Sequence, residues 1–410
     1  MASLGNQFNK LKLGVMSIGS GNSEKTVEKG ISESVGDGHL GNLSQEEQAK
    51  LKDLWGLVLK MLSLKNLQEY LNEKVDKKKI VQMAEEALPS LELDEARIEG
   101  ILNCPLAEEL WSKFAVEHPD SLLLRFLRAR KWNLTDAFVM FFEALKWSAS
   151  NKVSRMHDGR VKKEIFDTKK GFIYGYDLLG RPVILILARN HNQYAHEVAD
   201  NTVFLVNLME LALRVMRRDP ETFCLNPDTV TVIFDLADAP VAAFDAGVVK
   251  FIVDCFQNYY PETLGHCYIL NAPWIFWGFW KVVKMWLDPV VASKITFSND
   301  PLDILGPVID KKYLLKAYGG LPAYEYEMVG YEKCVEFKPL NKTFREDAKD
   351  ELVDFLKATI DNRSDDRHEH IKRLMEKADW IESQNLPDHY FKRQDCVNAD
   401  HTVDFDALLN

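Results

Sequence analysis

The spacing of apolar residues changes along this chain, and the changes divide it. Residues 1–44 are rich in Gly, Ser and charge and keep no period. They predict a flexible arm with a short amphipathic piece around Phe8 to Met16. At Ser44 the pattern turns helical. Ser44 followed by Glu47 is a capping-box signature, and apolar residues then recur at Leu51, Leu54, Trp55, Val58 and Leu62. Residues 65–90 are polar and rich in Lys and Glu, predicting a weakly packed helix or insertion. The helical pattern resumes across Ala96 to Val116. In the stretch 118–132, HPDSLLLRFLRARKW, Asp120 is the expected cap, and Leu123, Phe126 and Leu127 share one side. A further helix is expected over Leu134 to Ser148.

Past about residue 150 the period shortens. GFIYGYD and RPVILILAR flank Leu178-Leu179-Gly180 and predict a hairpin. A helix over Asp200 to Arg217 precedes TVTVIFDLAD, a β-branched run of buried-strand type. A helix over Ala242 to Asn258 and a strand at Cys267 to Leu270 complete a strand–helix–strand unit, so part of the sheet should be parallel. Asp288-Pro289 predicts a helix start, running to Ser293 and leading to Lys294. LLKAYGGLP at 314–322 reads as a turn closing the domain. Thr343 with Glu346 predicts a second capping box ahead of a helix over Phe344 to Ile360, and another helix spans Asp365 to Ser383 before an acidic tail. The expected layout is therefore an arm (1–44), a helical N-terminal domain (45–150), an α/β domain (151–325) and a helical, polar extension (326–410).

One segment fits none of these habits. On a helical wheel for Trp274 to Leu287, Lys281, Lys284 and Trp277 share one narrow side. Trp274, Phe276, Phe279, Trp280, Val282, Val283, Met285, Trp286 and Leu287 fill the remaining arc. A surface helix needs an apolar stripe of only about 100°, and a bilayer span takes about 20 residues. Two readings stay open: a buried core helix, or a lid that closes an apolar cavity in solution and lies on a membrane when open. Trp suits the second, since its ring is apolar and its N–H tolerates an interface.

Composition narrows the classes. A 410-residue chain has room for two or three domains, and 46% hydrophobic residues supply a real core. A net charge of −11 argues against nucleic acid and against general attraction to anionic membranes. The six cysteines are scattered without a CxxC pair, which suits reduced thiols. The N-terminus has no apolar core of signal-peptide type, and no apolar stretch is long enough to span. The expectation is a cytoplasmic protein.

Enzyme signatures are missing: no phosphate-cradling GxxxxGK[ST], no GxGxxG after a strand, no GxSxG, no HExxH. His368 and His370 stand two apart on a helix and face apart. Asp235 and Asp238 follow a strand, where a turn or capping role competes with a functional one. His191, Tyr194 and His196 are of haem- or metal-ligating type, with no local spacing to support either. Arg130 falls on the wheel among Leu123, Phe126 and Leu127. A buried arginine needs a partner, either a core carboxylate or a ligand phosphate matched to its planar fork.

YYPE (259–262), the NAP after the strand and LDPVVASKI (287–295) resemble the CRAL-TRIO lipid-transfer family. APWIF followed by WLDPVVASKI resembles one fungal branch, accessory homologues of the main secretory phosphatidylinositol/phosphatidylcholine exchanger. The resemblance covers roughly residues 118–322. It implies a largely parallel mixed sheet flanked by helices behind an all-helical N-terminal domain, and no catalysis. It also implies that Arg130, Glu262 and Lys294 contact an inositol phosphate headgroup. The family's threonine three residues before that lysine is Val291 here. Family positions that hold phosphatidylcholine fall on Ile173, Ile184, Val230, Val232 and Thr263, so a greasier second ligand such as squalene or a sterol is expected. The lid would comprise Trp274, Phe276, Trp277, Phe279, Trp280, Val283 and Trp286. No cofactor or metal is implied; the partners implied are phospholipid and, transiently, membrane surfaces such as endosome, microsome or lipid droplet. Rival readings are a module presenting lipid to a lipid kinase, and a haem carrier.

Overall fold

The computed structural model describes residues 38–63, 82, 95–104, 106–156, 158–216, 228–310, 314–320, 340–361 and 364–385. The expectations for the arm up to residue 37, for residues 65–81 and 83–90, and for the acidic tail lie outside the described residues. Helix α1 (Gln45–Leu62) opens on the predicted capping box: Glu47 N donates to Ser44 Oγ at 3.3 Å, and Ser44 N donates to Glu47 Oε2 at 2.8 Å. The single helix expected over 96–116 is two, α2 (Glu95–Asn103) and α3 (Ala107–Phe114). Pro105 stands between them in the sequence, and proline disfavours helix in the residue before it.

Helix α4 (Pro119–Ala129) is capped by His118, whose side chain accepts from Asp120 N at 3.1 Å. Asp120 is therefore not the cap. Pro119 takes the first helical position, which moves the cap one residue upstream and leaves Asp120 buried inside the first turn. Helix α5 (Leu134–Asn151) and the short α6 (Lys163–Phe166) complete this helical part.

Strands β1 (Gly171–Tyr176) and β2 (Pro182–Leu187) pair antiparallel around the expected hairpin, with Gly180 at φ 77°. Helix α7 (Val198–Arg214) leads towards β3 (Val230–Asp235). Helix α8 (Ala246–Asp254) is shorter than expected, because Asp245 caps it by accepting from Val248 N at 3.0 Å. It ends in a π-turn, Cys255–Tyr259. Strand β4 (Leu264–Leu270) begins three residues before the expected Cys267, since Gly265 and His266 hide its start from an apolar count. Gly265 is required there: a Cβ would lie 2.8 Å from both Arg181 Nη1 and Thr229 Oγ1. Helices α9 (Phe276–Val283) and α10 (Pro289–Ser293) precede β5 (Ile295–Ser298), and α11 (Pro301–Leu305) follows it. Asp288 caps α10 as predicted, accepting from Val290 N and Val291 N at 2.7 and 2.9 Å.

Among the described residues the strands form one sheet in the order β1-β2-β3-β4-β5, with β2 to β5 all parallel. Side-chain alternation splits it into two faces. Val183, Leu185, Ile233, Tyr268 and Leu270 pack on Leu305, Ile309, Leu314 and Tyr318. Ile184, Ile186, Val232, Phe234, Cys267 and Ile269 face the other way, towards α7, α8 and α9. Asp235 closes the β3 end by accepting from Asn271 Nδ2, Ala237 N and Tyr318 Oη, each at 3.0 Å. Its role is structural.

Helices α12 (Leu340–Asp347), α13 (Lys349–Asp361) and α14 (Ser364–Asn385) return to the N-terminal helices. Helix α12 begins at Leu340, so Thr343 lies inside a helix and not at the start where the second capping box was expected. Phe355 packs edge-on against Trp55, with centroids 5.3 Å apart. Beside them Asp120 accepts from Trp55 Nε1 at 2.8 Å and forms a two-pronged ion pair with Arg367, Nη1 to Oδ2 at 2.6 Å. Burial pushes the Asp120 carboxyl up, but the Arg367 charge and hydrogen bonds outweigh it and hold the group at about 2. Buried His118 is pushed down to about 4 by loss of solvation.

Removing one partner of a buried pair leaves a charge uncompensated. Arg367→Ala should lower the unfolding free energy at neutral pH by about 3–5 kcal/mol. In the wild type the Asp120 contribution is complete above pH ~4 and is lost as pH falls towards about 2, because the folded carboxyl is depressed. Urea melts at stepped pH test both, and a variant as stable as the wild type would make the pair neutral.

Candidate functional site

Between the inner sheet face and α7, α8 and α9 lies an apolar cavity that opens to solvent; its empty space, counted together with the open part, is about 1220 Å³. The sheet contributes Ile186, Val232, Phe234, Leu264, Cys267, Ile269 and Ile295, and α8 contributes Val248, Val249, Ile252 and Val253. The roof is α9, through Phe276, Phe279, Trp280 and Val283. Phe244 meets Phe279 at 5.6 Å between centroids, and Phe297 meets Trp280 at 4.9 Å and Phe276 at 6.1 Å. A smaller cavity beside it is lined by Ile184, Val232, Met209 and Tyr260 among others.

The roof helix is not buried all round, so the core-helix alternative fails. Trp277, Lys281 and Val282 of α9 face out, and so do the flanking Lys284, Trp274 (85% exposed) and Met285 (76%). Apolar side chains thus stand on both sides of one short helix. No helix of the described residues is long and apolar enough to cross a membrane.

At the edge where the parallel strands start, Lys294 Nζ lies 3.5 Å from Glu262 Oε2. Glu262 precedes β4 by two residues and Lys294 directly precedes β5, so their neighbours Leu264 and Ile295 are already cavity wall. The approach to Glu262 is held on both sides. Tyr259 stacks on Trp147 at 4.1 Å and 7°, and Tyr260 Oη donates to buried Glu210 at 2.7 Å. Glu262 itself adopts φ 55°, a left-handed conformation costing a non-glycine residue about 1–3 kcal/mol. Arginines of α4 brace this edge. Arg128 pairs with Asp228 at 2.9 Å, and Arg125 pairs with Glu117 at 2.9 Å and donates to Asp228 O at 2.8 Å and Thr263 Oγ1 at 3.4 Å. Burial disfavours the Arg128 cation, and the carboxylates of Asp228 and Glu262 offset that only in part.

The edge where the strands end carries the only polar side chains in the cavity wall among the described residues: Lys170, His191, Asn201 and Asp245. Lys170 precedes β1, and its carbonyl accepts from Leu187 N at 2.8 Å, which places it at the finish of β2. Its ammonium donates to Asn201 Oδ1, approaches His191 Nδ1 at 3.5 Å and sits 5.4 Å from the Phe204 ring centre. His191 Nε2 lies 3.3 Å from Asp245 Oδ2. An ammonium only donates, so Nδ1 accepts and Nε2–H donates to the carboxylate: the imidazole is neutral. Burial and the Lys170 charge both lower the His191 pKa, consistent with that tautomer.

Family comparisons agree with this architecture. A CRAL/TRIO domain matches residues 166–320 and a CRAL/TRIO N-terminal domain matches residues 63–143. A CRAL-TRIO domain-containing protein of Schizosaccharomyces pombe is 30% identical over 295 residues, covering 67% of this chain and 80% of that relative. The chain belongs to the CRAL-TRIO family. Phosphatidylinositol transfer protein CSR1 of Eremothecium gossypii is 32% identical over 240 residues, 54% of this chain and 52% of that protein. A second S. pombe CRAL-TRIO protein is 36% identical over 238 residues, 56% of this chain and 50% of that relative. The chain thus spans about half the length of these last two relatives.

Around this CRAL-TRIO cavity the sequence-predicted residues separate. Glu262 and Lys294 meet. Arg130 does not join them: it ends α4, half-buried, with its guanidinium on Ala129 O at 3.2 Å. The wheel misplaced it because the helix stops at Ala129 and the next residues, Lys131 and Trp132, are left-handed at φ 51° and 62°. The buried arginine pairings expected of Arg130 belong instead to Arg125 and Arg128. Val291 and Val232 line the main cavity, and Ile184 lines the smaller one. Ile173, Val230 and Thr263 line neither, and Thr263 is fully buried beside Arg125. Tyr194 is 82% exposed, so it does not face His191 as a shared haem or metal site would require. Sequence reasoning missed Lys170, Asn201 and Asp245. The one available signal was a lysine at the head of an apolar strand.

Loss of solvation lowers the Lys170 pKa to about 8. Between there and the unfolded value near ~10.4 the unfolded chain binds the extra proton, so stability rises with pH. The unfolding free energy of the wild type relative to Lys170→Met should climb by about 2–3 kcal/mol from pH 8 to 10. Paired denaturation curves check this, and a flat difference would place the ammonium in contact with water.

Proposed function

We propose that this chain carries phosphatidylinositol in the cavity and exchanges it between membranes, acting as a carrier and not as an enzyme. The observation that carries the reading is an apolar cavity roofed by one short helix that is greasy on both faces. Each buried CH₂ gains on the order of 0.8 kcal/mol, so a two-chain lipid escapes into water slowly and must be handed over at a bilayer. Trp274, Trp277 and Met285 beside Lys281 and Lys284 suit a helix that lies at a lipid interface, aromatic rings inward and ammonium groups at the headgroups. Opening of α9 would then expose the cavity to the membrane it rests on, with the protein peripheral to that membrane.

The Glu262–Lys294 pair supports a headgroup at the strand-start edge. An ammonium suits a phosphate and a carboxylate accepts from inositol hydroxyls. Arg130 would reach the phosphate by leaving its carbonyl contact on Ala129. One relative's name, phosphatidylinositol transfer protein, supports the same ligand. Val232 and Val291 in the wall support a second, more apolar ligand.

Arg130→Ala and Lys294→Ala should each cut transfer of labelled phosphatidylinositol between liposomes by about tenfold or more, while an apolar ligand is still taken up. Equal loss of both ligands would make these residues structural. Replacing Trp274 and Trp277 together by Ser should weaken co-sedimentation with vesicles, and brominated acyl chains should quench the wild-type tryptophan emission. Emission indifferent to brominated lipid would remove α9 as the membrane contact.

A further inference from the structure

The polar groups at the two edges of the sheet are unlike each other: one set lies in the cavity wall, the other just outside it. Glu262 and Lys294 form a pair at the strand starts, whereas the buried Lys170 ammonium has only neutral groups in reach, Asn201 Oδ1 and His191 Nδ1. Among the described residues no carboxylate stands within ion-pair distance of it. Asp245, the nearest candidate, lies across the imidazole. Its charge is already committed to His191 Nε2–H and to Val248 N at the start of α8. Burying a cation with no carboxylate in contact is costly, and the Asp245 charge, acting on Lys170 across the imidazole, offsets only part of that cost. The fold nonetheless holds Lys170 there deliberately. Gly171 lets α7 come close, since a Cβ would meet Ile186 at 2.7 Å and Leu208 and Phe204 at 3.2 Å, and that approach brings Asn201 and Phe204 onto the ammonium.

A phosphatidylinositol molecule anchored at Glu262–Lys294 would send only methyl ends this way. β4 has seven residues, so the two ends of the cavity are roughly 20 Å apart at about 3.3 Å per residue. The ligand that satisfies Lys170 therefore enters with the opposite polarity, an anionic group at the strand ends and an apolar chain running along the sheet. We propose that the Lys170 end is a carboxylate site, and that the second ligand of this cavity is a long-chain monocarboxylic acid with its anion on the Lys170 ammonium. His191, fixed by Asp245, and Asn201 orient the ammonium so that its remaining N–H points into the cavity. The proposal rests on the lipid-carrier reading and names the class of the second ligand.

The test uses the full chain and displacement of an apolar fluorescent probe by palmitate, methyl palmitate and hexadecanol, which share a chain length and differ at the head. Palmitate should bind at least about tenfold more tightly than the other two. In Lys170→Met that ratio should fall to near one. Equal binding of all three by the wild type, tighter binding of hexadecanol, or a palmitate preference that survives Lys170→Met would each overturn the site. Should Lys170→Met fail to fold, carboxyl-labelled palmitate bound to the wild type decides by carbon NMR. Its carboxylate should stay ionised below the ordinary carboxylic acid range, and titration at or above that range overturns the proposal. Phosphatidylinositol transfer, measured alongside, separates the two readings. Transfer without a palmitate preference sinks only the carboxylate site, whereas a chain that takes up no lipid sinks both.

Discussion

Parallel pairing of β2 to β5 is the constraint on which the rest of this molecule depends. When neighbouring strands run the same way, every start lies at one edge of the sheet and every finish at the other. Residues just before strands are thereby collected at one pole, and residues at strand ends at the opposite pole. Glu262 and Lys294 meet because β4 and β5 begin side by side, with Cys267 N donating to Lys294 O at 2.8 Å. Lys170 reaches the other pole because β1 alone runs antiparallel, so its start lies beside the finish of β2. Two chemically different ends follow from one choice of strand direction.

The space between the poles exists because the inner sheet face is not packed shut. The outer face is closed by α11 and the chain after it, with Leu305 and Leu314 fully buried. On the inner face α7 and α8 stand over the sheet, and α9 supplies aromatic rings that stack on Phe244 and meet Phe297 edgewise or tilted, at about 5–6 Å. Contacts of that kind are worth about 0.5–1.5 kcal/mol each beyond their burial. On either side of that helix Trp274 and Met285 are exposed.

Stiffness lies elsewhere. Arg125 and Arg128 fasten α4 to the residues ahead of β3 and β4, and Glu210 ties α7 to Lys113 at 2.5 Å and to Tyr260. Asp120, Trp55 and Arg367 lock the C-terminal helices onto the N-terminal ones. Buried ion pairs of this sort are strongly directional, and losing either partner costs far more than the pair returns in net stability. The strand-start edge is thus tied around Glu262 by ion pairs and hydrogen bonds, and the roof meets the cavity through apolar side chains.

Much of this was legible in residue order. The Ser44 and Asp288 caps, the hairpin at Gly180, the strand–helix–strand unit and the two-sided greasiness of Trp274 to Leu287 are local patterns, and local periodicity and capping chemistry are what a sequence states directly. The meeting of Glu262 with Lys294 was expected from resemblance and not from spacing. Other features were decided only by the tertiary structure. The Asp120–Arg367 pair joins residues 247 positions apart, Arg125 and Thr263 are separated by 138, and Lys170, His191, Asn201 and Asp245 come from four different segments. No window of sequence contains such a set. Arg130 marks the boundary between the two kinds of knowledge. Its place on the wheel followed correctly from a helix assumed to continue, and failed because the backbone turns left-handed one residue later.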